Sequence, residues 1–179
     1  MPRSSVTSGK SSPRPAPRLR RAYYECRYGQ LHLHNAIPAG GGFDELTAIV
    51  CIPASGQTGR AFQSLLAELG HDRSIYAPDL PGTGESDPAG ATPPAEAALA
   101  ALQDFLDTMR LREVDVVAWG DGGVVARQLA STRPRQVRRI VMLAEAGAGG
   151  ARPSQPLLSL SADEAAAAGR NARIAEFLT

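Results

Sequence analysis

Long apolar runs and net charge are both scarce in this chain, and each shortage argues against a class of protein. No apolar run approaches the roughly 20 residues that a helix needs to span a bilayer, and no secretory leader follows Met1. The formal net charge of the 179 residues is +1, so the composition offers no general attraction to nucleic acid or to a membrane surface. We therefore expect a cytoplasmic protein with no nucleic-acid or membrane partner.

Cysteine and lysine are also rare. The two cysteines, Cys26 and Cys51, lie in apolar strand-like runs and lack the CxxC spacing of redox and metal sites. The two could form one disulfide, although two buried reduced thiols are the favoured interpretation. We expect no cofactor. Lys10 is the only lysine, and the dominance of arginine indicates coding bias rather than function.

The composition that is present is that of a globular domain. Hydrophobic residues make up 43% and charged residues 21%, which suits one domain with a substantial core. Residues 1–21 are the exception, because they are rich in Ser, Pro and Arg and contain no acidic residue. We predict a disordered tail there. A transit peptide has a similar composition, but the prolines at 13, 15 and 17 would break its amphipathic helix.

Strands and helices alternate from residue 22 onward. Gly29 separates two strand-like runs as in a hairpin, and the later apolar runs suit strands that are buried on both faces. This alternation predicts an α/β fold with a mainly parallel, doubly wound sheet that is antiparallel at its first strands and ends after about the sixth. The predicted strands are 23–28, 30–34, 48–52, 74–77, 114–119 and 137–143, and the predicted helices are 61–69, 95–109 and 124–130.

The pattern weakens after Gly147. Ser161 and Glu164 have the spacing of a capping box, which predicts a helix that is broken or kinked near Gly169. We therefore divide the chain into the tail over 1–21, a core over 22–147, and a loop and helix over 148–179.

The strongest local motif is DLPGTGESD, residues 79–87, which directly follows a predicted strand. It lacks the third glycine of a dinucleotide site and the GK[ST] ending of a phosphate-binding loop. The motif resembles the D-x-x-G-x-G-x-S loop after the fourth strand of α/β-hydrolases. Over residues 22–147 the order of elements is similar to that family as well. The resemblance implies a hydrolase core acting on a small ester or epoxide, with 148–179 as the start of a lid.

The resemblance places the nucleophile elbow at AWGDGG, residues 118–123. The family pattern is Gly-x-nucleophile-x-Gly-Gly on a strand-to-helix turn, which aligns Gly120 with the nucleophile. Glycine has no side chain that could attack a substrate. Asp121 could serve after a one-residue shift, as in members that use aspartate, but the shift would put Trp119 where a small residue is needed. Alternatively, Asp121 caps the following helix.

The other catalytic parts are altered too. Where members have His-Gly after the third strand, this chain has Pro53-Ala54-Ser55, which leaves Ala54 and Ser55 as oxyanion candidates beside the simpler interpretation of an ordinary loop. Some lipases of the family it resembles place their acid after the sixth strand, which makes Glu145 the candidate acid beside the simpler interpretation of a loop residue.

The general base is missing, because no histidine follows Gly120 and the family order places the histidine last. The chain has three histidines: His32, His34 and His71. His32 and His34 share one face of a predicted strand, where we expect them to face solvent and hold no metal.

Three hypotheses remain open at this point. The chain is a family member that is inactive or incomplete through loss of its triad, an active hydrolase that uses Asp121, or a protein that binds a small-molecule ligand in the space at Gly120. Because the later strands are not found, the strand 137–143 is expected to leave an open edge, which favours self-association.

Overall fold

The computed structural model describes residues 15–41, 44, 46–144 and 153–179, and these residues form one seven-stranded sheet in the order β1-β2-β4-β3-β5-β6-β7. β1 and β2 form an antiparallel hairpin, β2 is antiparallel to β4, and all later pairings are parallel. The strands are β1 (Arg18–Cys26), β2 (Gly29–Ile37), β3 (Ala48–Ile52), β4 (Ile75–Pro78), β5 (Val114–Trp119), β6 (Val137–Leu143) and β7 (Leu157–Leu160).

Helices cover both faces of the sheet, so the predicted α/β class and mainly parallel sheet are confirmed. The continuous apolar runs of β3 and β5 are buried because each strand meets helices on both sides. α2 and α3 pack on one face, while α1 and α5 pack on the other. The helices are α1 (Gln63–Leu69), preceded by a 3-10 turn at Gly59–Phe62, α2 (Pro94–Thr108), α3 (Gly122–Thr132), α4 (Ala162–Ala166) and α5 (Arg170–Leu178).

The first strand begins earlier than the sequence predicts. β1 starts at Arg18, where it pairs with Ile37, so the predicted tail over 1–21 is wrong for its last four residues. Arginines suit this position because β1 is an edge strand whose outer side chains stay exposed. Residues 1–14 of the predicted tail lie outside the described residues.

The last part of the chain also differs from the prediction. The sheet does not end at the sixth strand, because β7 pairs in parallel with β6 and forms the edge in its place. The capping box of Ser161 and Glu164 is present at α4, and Gly169 separates α4 from α5 with a φ of 88°. Leu160 and Ile174 are buried in the core. The predicted helix with its break near Gly169 is therefore present, and β7 is the element that the prediction of a loop misses.

Arginine side chains at the amino end of β6 hold α5 against the sheet. Asp115, fully buried on β5, accepts two hydrogen bonds from Arg138 at 2.9 and 2.6 Å. Arg138 also donates to the carbonyl of Leu178 at 2.7 Å, and Arg139 donates to that of Phe177 at 2.9 Å. The positive charges thus meet the negative end of the helix dipole.

Both cysteines are free thiols, and Cys51 is buried as expected, whereas Cys26 is only half-buried. Among the described residues, no helix is both long enough and apolar enough to cross a membrane.

Candidate functional site

A tight turn joins β5 to α3 at the carboxyl edge of the sheet, and Gly120 is its turning residue. Gly120 has a φ of 55°, a left-handed conformation that favours glycine, and its N–H donates to the carbonyl of Leu143 at 2.8 Å. Gly122 lies against the strand ends, because a Cβ there would be 2.6 Å from the Pro53 carbonyl oxygen. Two glycines therefore permit the close approach of strand, turn and helix at this elbow.

Asp121 directly precedes α3 in a right-handed helical conformation with a φ of −71°, and its side chain makes no capping bond. Instead, its Oδ1 accepts a hydrogen bond from the backbone N–H of Ser55 at 2.8 Å. Contacts with the Ser55 side chain and then its backbone N–H lower the pKa of the Asp121 carboxyl. Asp121 is therefore an ionised group that ties the loop after β3 to the elbow.

The oxyanion candidates lie in this same loop. Pro53 offers no N–H, and the N–H of Ser55 is already bonded to the Asp121 carboxylate. Ala54 is next to the turn, since a Cβ on Gly120 would lie 3.2 Å from the Cβ of Ala54. A substrate oxyanion would have to displace the carboxylate in order to use the Ser55 donor.

A cavity of about 520 Å³ opens beside the elbow. One wall comes from the DLPGTGESD loop through Leu80, Pro81 and Thr83, and another comes from α2 and α3. Asp121 is the one charged residue in the walls that the structure describes. The remaining lining is mostly apolar or small and includes Pro53, Ala54, Pro88, Ala95, Ala98, Val124 and Val125.

Trp119, just before the turn, packs on the α1 side of the sheet. Its ring contacts Phe62 edge-on, with centroids 6.3 Å apart, and the Arg170 guanidinium lies 5.3 Å from the ring centroid. Trp119 does not line the described walls of the elbow cavity. Trp119 therefore packs beneath the elbow on the α1 side of the sheet and contacts Arg170, the first residue of α5.

The prediction that the strand histidines face solvent is wrong for His32. Its side chain is only 1% exposed, because β2 lies between β1 and β4 and the DLPGTGESD loop covers it. His32 Nδ1 lies 2.9 Å from Asp79 Oδ2. Asp79 also accepts the N–H of Gly59 at 2.8 Å and that of Glu85 at 3.2 Å. The sequence analysis did not predict that Asp79 is the partner of His32, although Asp79 is recognisable as the first residue of the DLPGTGESD motif.

The structure thus brings Ala54, Ser55 and Asp121 together at the elbow but leaves the histidines elsewhere. His32 and His34 line a second cavity, and no described wall residue belongs to both cavities. His71 bonds to the carbonyl of Pro15 at 2.9 Å. Glu145, the candidate acid, lies outside the described residues.

A family model described as the alpha/beta hydrolase family matches residues 49–178, which is most of the chain. The chain belongs to the alpha/beta hydrolase family. The structure of Cfl2 from Burkholderia cenocepacia is similar to this family member, with a TM-score of 0.65 over 76% of this chain and 45% of that one. At 24% identity, this likeness shows the fold.

Two curated relatives of this alpha/beta hydrolase carry functional names. The 2-hydroxymuconate semialdehyde hydrolase of Pseudomonas sp. (strain CF600) is 33% identical over 84 residues, which cover 46% of this chain and 30% of that protein. The polyketide synthase ThaQ of Burkholderia thailandensis is 30% identical over 153 residues, which cover 80% of this chain and 7% of the synthase. The chain therefore spans less than a third of the length of the curated relatives it matches.

Proposed function

We propose that this alpha/beta hydrolase family member binds a small, mainly apolar molecule in the elbow cavity and does not cleave it with the residues described. The observation that carries the proposal is Gly120 at the turning position of the elbow. A residue without a side chain supplies no nucleophile there. The chain also has no histidine after Gly120 to act as the base.

The chemistry of the cavity suggests the class of ligand. Its walls are mostly apolar, which favours the body of a small ester- or epoxide-type molecule, the class that the family relationship implies. Asp121 adds a single negative charge near the loop after β3. A ligand with a hydrogen-bond donor or an amine at one end would pair with this carboxylate, so amines should bind more tightly than neutral compounds of equal size.

Thermal unfolding in the presence of a ligand panel tests the proposal. The panel pairs short-chain esters and epoxides with primary amines of the same carbon skeleton. A ligand that binds the folded state raises the melting temperature in proportion to RT ln(1 + [L]/Kd). The Val124→Trp variant should abolish this shift, because Val124 is exposed and lines the cavity, so the larger ring fills it without disturbing the core.

Gln128→Trp is the matched control, since Gln128 is exposed one turn further along α3 and lies outside the cavity wall. This variant should keep the wild-type shift. A panel with no shift at all, or an equal shift in the Val124→Trp and Gln128→Trp variants, would overturn the proposal.

Hydrolysis through Asp121 is the second candidate, favoured by an ionised carboxylate in the cavity wall. Its oxygen would attack an epoxide carbon as the C–O bond opens, leaving an ester on Asp121 and an alkoxide that takes a proton from water. Water would then hydrolyse that ester and restore the carboxylate. Intact-mass measurement after incubation with an epoxide detects the ester as an added mass that Asp121→Asn prevents, and an unchanged wild-type mass together with no release of diol excludes this route.

A further inference from the structure

The second cavity, on the other side of the DLPGTGESD loop, brings two imidazoles and a carboxylate together. The candidate ligand atoms of His32, His34 and Asp79 all lie within 4.8 Å of one another. The two rings stand nearly perpendicular, with centroids 4.9 Å apart, because the residues alternate along one face of β2. Asp79 joins them from the end of the neighbouring strand β4, which pairs with β2.

Asp79 determines which nitrogen of His32 is available. Its Oδ2 lies 2.9 Å from His32 Nδ1, and both Asp79 oxygens already accept backbone N–H groups, so Nδ1 is the donor in this contact. With the proton on Nδ1, Nε2 is the ring nitrogen that can donate a lone pair to a metal ion. That atom is buried and has no hydrogen-bond partner among the described residues. A histidine whose Nδ1–H is held by a carboxylate while its Nε2 stays open is the arrangement that orients metal-binding imidazoles.

His34 supplies a second imidazole at the same place. Its ring is half-buried and lines the cavity, so the imidazole can be reached by an ion from solution. The cavity, about 740 Å³ in volume, leaves room for solvent to complete a coordination shell.

The charges around the cavity are mixed. Arg21 is paired with Glu85 at 3.3 Å, whereas Arg20 and Arg60 are exposed residues that also line the cavity. These arginines oppose a bare cation and favour one that carries an anionic ligand from solution in its open position.

We propose that His32 and His34 bind a divalent transition-metal ion of the Zn²⁺ class, with Asp79 as the positioning residue that orients His32. Two imidazoles and a nearby carboxylate are a donor set suited to zinc, cobalt or nickel rather than to calcium or magnesium. The site is independent of the elbow cavity, so its test and that of the ligand-binding proposal can fail separately.

Calorimetric titration of the untagged full chain with ZnCl₂ tests the site, and the visible absorption spectrum of the Co²⁺ form reports the ligands directly. Wild-type protein should bind one equivalent of each ion. His34→Gln should weaken binding by at least about tenfold and change the Co²⁺ spectrum, and its partly exposed position should leave the fold intact. Asp79→Asn should weaken binding by about 10- to 100-fold and shift the same absorption bands, a change that altered stability alone would not produce.

His71→Gln is the matched control, because it removes the remaining histidine, which lies outside the cavity. It should bind Zn²⁺ as the wild type does. Absence of stoichiometric binding by the wild type, equal affinity in the His34→Gln variant, or loss of binding in the His71→Gln variant would each overturn the proposal.

Discussion

The Oδ1 atom of Asp121 lies 2.8 Å from the backbone nitrogen of Ser55, so a charged hydrogen bond joins two segments 66 residues apart in sequence. This bond uses the N–H of Ser55, one of the two oxyanion candidates, and it lowers the pKa of the Asp121 carboxyl. The same two residues line the elbow cavity. The elbow therefore holds a negative charge of its own, bonded to the loop after β3.

The Asp121–Ser55 bond should make a small, pH-dependent contribution to stability. Asp121→Asn is expected to lower the free energy of unfolding at pH 7 by at most about 1 kcal/mol, because the carboxylate is exposed. The folded-state pKa of Asp121 is depressed. The stabilisation is therefore fully present above the unfolded value of about 3.9 and is lost as the pH falls through the lower folded value.

Urea unfolding of the wild type and the Asp121→Asn variant between pH 7 and pH 3 measures this contribution. The difference in unfolding free energy should shrink towards zero at the acid end. A difference that stays constant across this range would contradict the assigned bond.

Gly122 is expected to tolerate no side chain. In the Gly122→Ala variant the new Cβ would lie 2.6 Å from the Pro53 carbonyl oxygen and 2.9 Å from that of Ile52, and neither backbone atom can rotate away. We expect a loss of about 1–3 kcal/mol or more in chemical denaturation. Gly40→Ala is the control, because a Cβ there meets nothing within 4 Å, and it should change stability by less than about 0.5 kcal/mol. Equal effects would show that the elbow is not closely packed.

Asp115 should be far more important for stability than a surface carboxylate. Asp115→Asn removes the carboxylate that accepts two hydrogen bonds from Arg138. It also leaves Arg73, whose side chain is 2% exposed, without the negative charge beside it. The expected cost is about 3–5 kcal/mol, as for other buried pairs that lose one member. Asp107→Asn breaks the exposed pair with Arg133 and should cost less than about 1 kcal/mol. Denaturation midpoints in the reverse order would contradict this assignment.

Self-association was expected at the edge formed by the strand 137–143, but β7 forms that edge of the sheet, so the prediction applies to β7. The carbonyls of Pro156 and Leu160 accept the N–H groups of Ile140 in β6 and of Ala144 just after it, so the backbone groups of Ser159, by alternation, point away from the sheet. If copies pair along this edge, Ser159→Pro should weaken the association by removing an outward N–H. Ser154→Pro, in the loop before the strand, should not. Sedimentation velocity measures both, and a wild-type protein that stays monomeric at high concentration would end this prediction.

Local patterns in the sequence predict most of the sheet. Residues 48–52 and 114–119 are recognisable because a strand buried between helices is apolar at nearly every position. β7 was missed because four residues are too few to show a period. The start of β1 was missed because Arg18 is polar, and its strand conformation depends on pairing with Ile37.

The arrangement of the candidate sites could be predicted only in part. The glycines of the elbow and the motif aspartate are visible in the sequence, since a turn or a motif fixes the residue type locally. The burial of His32 depends on a strand pairing and a covering loop that lie more than 40 residues away in sequence. The Ser55–Asp121 bond is likewise a contact between distant segments, which no local pattern encodes.

The measurement that tests the central claim most directly is multiple-turnover hydrolysis of an activated ester and of a small epoxide by the purified chain. Because Gly120 supplies no nucleophile and no histidine follows it, we predict that wild type and the Asp121→Asn variant release product at the rate of the buffer alone. Turnover by the wild type that Asp121→Asn abolishes would contradict the account and identify Asp121 as the nucleophile.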